Sequence, residues 1–156
     1  MPSAIAIQFK EVYLDGKWVV NTNLASTLKA VTYYQATTTL GSHNSIAALT
    51  FHLNYYIAGI LSAMQTGQLV IEDRYSFDMP DINHTEDWHN LRQTTLDNIL
   101  RMSDNLEAMS EATFEGPFID KKYGTWKRNI QVMIEHGYYH LGQIVMLTKL
   151  IPQDNN

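Results

Sequence analysis

Apolar residues recur at intervals of three and four along three long stretches of the chain, which predicts three long amphipathic helices. In the first, Ile46, Leu49, Leu53, Tyr56, Ile57, Ile60 and Met64 keep helical spacing. Gly41-Ser42 and Asn44-Ser45 supply breaker and capping chemistry before it, and Gly67 suits the left-handed position past its end. This helix is expected over Asn44 to Thr66. The second stripe is Trp88, Leu91, Thr95, Ile99, Met102, Leu106 and Met109, with Asp97, Arg101, Asp104 and Glu107 mainly off it. Thr85 reads as its cap, and Glu86 and Asp87 fall in its positive first turn, so the helix is expected over Thr85 to Ser110. The third stripe is Ile130, Met133, Ile134, Gly137, Leu141, Ile144, Val145 and Thr148, with Thr125 as cap and Pro152 marking the end.

The N-terminal part is less regular. Ser3 to Leu14 reads as a helix with Ile5, Phe9, Val12 and Tyr13 on its apolar side, ended by Asp15-Gly16. Trp18, Val19 and Val20 have the look of a short strand, with no partner in view. Asn23 caps a further helix carrying Leu24, Leu28 and Val31, and Thr32 to Thr39 is ambiguous, with one short helical turn as a reading. Gln68 to Asn83, with Pro80 inside it, and Glu111 to Gly124, broken by Gly116-Pro117, are expected as irregular connections. Three long helices and a fourth from the N-terminal region predict an all-α fold, a four-helix bundle.

Composition narrows the picture. At 156 residues, one domain over 1–156 is expected. Eleven Lys and Arg against 16 Asp and Glu give a formal charge of −5, the wrong sign for a broad phosphate-binding face. The cluster Lys121, Lys122, Lys127 and Arg128 reads as solvated loop and helix start, so no nucleic acid is expected as partner. No apolar run reaches the roughly 20 residues of a membrane helix, and none is expected. The absence of cysteine removes disulfides, thiolate ligands and a cysteine nucleophile. The first residues lack a secretory pattern, which leaves the cytoplasm as the expected compartment.

The histidines carry the chemistry. There are six: His43, His52, His84, His89, His136 and His140. Four residues turn a helix by about 400°, so His136 and His140 leave one face of the last helix, and Gly137 between them leaves room for another helix or a substrate. His52 stands near the inward stripe of the first long helix. If those helices pack together, the three imidazoles converge, and three neutral nitrogens with an open fourth position are the arrangement of catalytic zinc sites. Each histidine alone reads equally as a hydrogen-bonded core residue, and spacing does not decide between the two. His43, His84 and His89 are expected on the surface. Other patterns fail: Glu135 precedes His136, so there is no His-Glu-x-x-His, and Glu86 to His89 is the single Glu-x-x-His pair of a di-iron site. No Gly-x-Ser-x-Gly turn or Gly-rich phosphate loop is present. Glu135 reads as surface charge. Some tyrosines of Asn54-Tyr55-Tyr56 and Gly137-Tyr138-Tyr139 have a second reading, as pocket wall.

The stretch His136-Gly137-Tyr138-Tyr139-His140-Leu141-Gly142-Gln143-Ile144 resembles the last-helix motif of the DinB-like (DinB/YfiT) superfamily of metalloenzymes, and Ser45 to Leu53, with its single His52, resembles that family's second-helix motif. The resemblance implies a four-helix bundle, often a homodimer. It implies a divalent metal, zinc or nickel, on His52, His136 and His140, with water completing the shell. It also implies a thiol-dependent S-transferase-like reaction on a small-molecule substrate, in which the metal activates a low-molecular-weight thiol such as bacillithiol or mycothiol, or water, for attack on an electrophile. The two long connections carry no thiol-binding signature. A non-catalytic metal- or ligand-binding bundle and a metal-dependent hydrolase are the alternatives.

Overall fold

The computed structural model describes residues 2–153. Among these the chain forms seven α-helices and no strand. α1 (Ala4–Lys10) starts at Ser3, whose Oγ accepts from the Ala6 N–H at 3.2 Å, and runs on into a π-helical turn over Glu11–Asp15. α2 (Leu24–Ala30) is capped by Asn23, and α3 (Tyr33–Thr37) by a reciprocal pair, Thr32 and Gln35. The ambiguous stretch Thr32 to Thr39 is therefore a short helix. Its Gln35 side chain also donates to the Ile151 carbonyl at 2.9 Å and so ties α3 to the end of the last helix.

α4 (Ile46–Thr66) ends where expected but begins after Asn44 and Ser45, with Ser45 as cap and Gly67 past its end at φ 72°. α5 (Thr85–Ala108) differs from expectation at both ends. Thr85 is its first helical residue and not its cap: the Asp87 carboxylate closes the turn instead, accepting from the Asn83 and His84 N–H groups at 2.9 and 2.8 Å. Ser110 is not in α5 because it caps α6 (Glu111–Glu115), a one-turn helix that buries Phe114. α7 (Trp126–Leu150) is capped by Thr125 as expected. The connections over 68–83 and 111–124 are thus partly ordered, by 3₁₀ turns at Asp73–Tyr75 and Lys121–Tyr123 and by α6 itself.

The strand expected at Trp18 to Val20 is a turn. Val20 and Asn21 lie in the left-handed region (φ 55° and 53°), and Trp18 and Val20 are 87% and 86% exposed, because no second strand offers them a ladder or an apolar face.

α4 packs along α5 and against α7, and α1 packs against α5 and α7 on the other side. Between them lies one apolar core, with Phe9, Leu53, Ile57, Trp88, Ile99, Met102 and Ile144 among its fully or almost fully buried members. The Trp88 indole N–H donates to the Val31 carbonyl at 3.2 Å, so the largest core side chain has its one polar atom satisfied. α4 is long and apolar enough to cross a membrane, contrary to the expectation of no such segment, and 61% of its most apolar stretch is buried inside this fold.

One close approach fixes the register between the N-terminal helix and α7. Tyr13, in the π-helical turn, lies over Gly137 and donates its hydroxyl to the Met133 carbonyl at 2.7 Å. A Cβ on Gly137 would come within 2.7 Å of the Tyr13 ring and its Oη. The room that Gly137 leaves is therefore taken by Tyr13, and by neither a substrate nor one of the long helices. Gly137→Ala should cost about 1–3 kcal/mol in urea unfolding by overpacking, and the cost should shrink in a Tyr13→Ala background because the two sites are coupled. An unchanged penalty in that background would remove Tyr13 as its cause.

Candidate metal centre

The three expected histidines meet. His52 comes from the middle of α4, and His136 and His140 from successive turns of α7. His136 Nε2 stands 3.0 Å from His52 Nε2 and 2.8 Å from His140 Nε2, and one ring nitrogen of each lies within 4.8 Å of the others. His52 and His140 are buried, at 8% and 6% exposure, and His136 is half-buried.

The outward nitrogens decide what the inward ones present. His52 Nδ1 is 3.2 Å from the Ser76 carbonyl oxygen, which only accepts, so the neutral ring carries its proton on Nδ1 and turns a bare lone pair inward. His140 Nδ1 is 2.6 Å from the Gln143 amide oxygen, with the same consequence. His136 Nε2 can then offer at most one N–H to two facing lone pairs. One of the two short N···N approaches is then left with no proton aligned between its nitrogens, which a shared cation satisfies and a single proton does not. These outer partners have the role of the carbonyls and carboxylates that orient metal-ligating histidines. Three nitrogens around an ion at about 2.0–2.1 Å stand roughly 3.3 Å apart, so the donor set fits a divalent ion with small side-chain shifts.

The surroundings keep the rings neutral. Burial and the neighbouring imidazoles of His140 and His52 push His136 down to about 4. Burial also lowers His52 against the raising effect of the Ser76 carbonyl, and burial lowers His140 against that of Gln143. Phe77 stacks on His52 with centroids 4.1 Å apart, and Tyr56 meets both His52 and His136 edge-on.

A connection expected to shape the pocket, though it carries no recognised binding signature, supplies much of this. The connection over 68–83 lies along one face of α4, where residues 52, 55, 56 and 59 share a side by helical spacing. Tyr55 Oη donates to the Glu72 carbonyl at 2.9 Å and accepts from the Glu72 N–H at 3.0 Å, and Tyr56 Oη donates to Asp73 Oδ1 at 2.9 Å. A Cβ on Gly59 would overlap the Ile71 side chain. Ser76 and Phe77 had no sequence signal, while Gln143 sat unassigned in the last-helix motif. His43, His84 and His89 are exposed and apart from the centre, and Glu135 is paired with Arg128 at 3.0 Å on the surface. In the basic cluster, Lys122 pairs with Asp120 and Lys127 with Glu115.

Two hollows flank the centre. The larger, about 580 Å³, reaches Gln143 and Tyr139 but has none of the three histidines in its wall. The smaller, about 250 Å³, has His136 in its wall together with Tyr56 and Asp73. Of the two, it is the one with a histidine of the centre in its wall.

Compared with known proteins, the chain matches no family model, no curated protein and no solved structure.

The depressed histidines give a pH signature. Because His136 titrates lower in the folded than in the unfolded chain, its stabilisation is complete above about pH 6.5 and is lost progressively as pH falls towards about 4. Metal-free protein should lose stability over that window, and His136→Gln should flatten the loss. Proton-detected titration of the imidazole resonances should place His136 near 4, and a value at or above 6.5 would contradict the burial of its lone pair.

Proposed function

We propose that the chain is a metal-dependent enzyme of the DinB-like type, a four-helix bundle of α1, α4, α5 and α7 that holds zinc or nickel on His52, His136 and His140. The observation that carries this reading is the meeting of three imidazole Nε2 atoms, two of them with their outer nitrogens committed to acceptors. Held by His52, His136 and His140, such an ion would supply Lewis acidity, which would lower the pKa of a thiol or water and so favour its attack on a small electrophile.

The chain's own residues do the rest. Ser76 and Gln143 fix the tautomers of His52 and His140. Phe77 and Tyr56 exclude water from the flank of His52. Asp73, in the same cavity wall as His136 and held by Tyr56, is placed to receive the proton that the nucleophile releases. The substrate is a small molecule, and the enzyme works in the cytoplasm as a homodimer, without nucleic acid or membrane. Support for the dimer comes from α7, where the apolar side chains of Tyr139, Met146 and Leu150 are 65%, 58% and 59% exposed.

Elemental analysis of the purified protein tests the reading. About one zinc or nickel ion per chain is expected, absent from a His136→Ala, His140→Ala variant that still folds. The loaded protein should conjugate a thiol to members of an electrophile panel, and the variant should not. Metal without turnover under any thiol would favour a non-catalytic binding protein. Turnover without thiol would favour hydrolysis. No metal uptake at all would reduce the three histidines to packing.

A further inference from the structure

The cavity that ends at His136 also has a shape and a charge. Its sides come from four parts of the chain: α4, the connection over 68–83, the connection over 111–124, and α7. Ile60, Ile71, Phe118, Val132 and Met133 make most of it apolar, and Tyr56, Asp73, Tyr123 and Asn129 lie with His136 as its polar lining, the Asn129 amide donating to the Tyr123 and Thr125 carbonyls. Its volume of about 250 Å³ exceeds the roughly 150 Å³ in which a benzene molecule fits. A substituted phenyl ring or a branched alkyl chain fits, and a large thiol cosubstrate does not fit whole.

Charge restricts the occupant further. Among the residues lining this cavity there is no Lys or Arg, and Asp73 is the one charged side chain. The cations beside it are engaged elsewhere, Lys122 on Asp120 and Arg74 on Glu72, each at 3.0 Å. A carboxylate or phosphate entering the slot would face Asp73 with no countercharge, at a cost that a mostly apolar wall does not offset.

We propose that this cavity is the specificity pocket, and that it takes an uncharged aryl or branched alkyl group of the substrate while the reacting polar end lies at the histidine cluster. The pocket assignment rests on the metal reading given above. Ile71 sets its width, since it nests on Gly59 and cannot retreat further towards α4.

Hydroxamates, which bind metal through a common head, separate the pocket from the metal. With zinc-loaded protein, calorimetry should find benzohydroxamate at least about tenfold tighter than acetohydroxamate, from the area that the ring buries. Val132→Trp fills the slot from a partly exposed position and should abolish that preference while acetohydroxamate affinity stays. 4-Carboxybenzohydroxamate should lose the preference in the parent protein and regain it in Asp73→Asn, a surface change with little risk to folding. Equal affinity for acetohydroxamate and benzohydroxamate in protein that holds zinc would overturn the pocket and leave the metal reading intact. Failure of both hydroxamates in protein that takes up no zinc would overturn the two together.

Discussion

Imidazole lone pairs that face one another repel unless a charge sits between them, and this constraint organises the centre of the molecule. His52, His136 and His140 bring three Nε2 atoms together from two helices. The proton that could relieve the repulsion is drawn to the far side of two of the rings, by the Ser76 carbonyl and the Gln143 amide. Burial then makes protonation unfavourable, most strongly at His136. A protein that only packed histidines would gain by letting each ring satisfy itself separately. Here the outer hydrogen bonds, the burial and the convergence all favour an inward-facing set of neutral donors.

The rest of the fold serves that geometry. The two α7 histidines stand on adjacent turns, and the glycine between them lets Tyr13 lock α7 against the N-terminal segment. The third histidine sits on α4, whose same face grips the connection over 68–83 through Tyr55, Tyr56 and Gly59. That connection returns Ser76 to His52, so the loop that bounds the cavity also fixes the tautomer of His52. Loosening the loop would therefore disturb chemistry and access together.

Much of this was legible in the sequence. The three long helices followed from apolar spacing, their caps at Ser45 and Thr125 from side-chain chemistry, and the His136–His140 pair from the helical turn. His52 was legible only as a residue near an inward stripe. What stayed hidden depended on long-range contact. Nothing local marks Ser76 as the partner of a histidine 24 positions earlier, or Tyr13, which donates to Met133 across 120 positions of chain, as the cover of Gly137. Trp18 to Val20 misled because β-branched and aromatic residues favour strands only where a partner strand exists. Thr85 misled because the helix begins one residue earlier, at a His84 cap whose N–H donates to the Asp87 carboxylate.

The central claim is that the three Nε2 atoms bind one divalent ion. X-ray absorption at the zinc edge of reconstituted protein tests it most directly. The account predicts three imidazole nitrogens at about 2.0–2.1 Å, with their outer-ring scattering, and one lighter open-site ligand. An ion bound through carboxylate oxygens, with no imidazole signature, would contradict it.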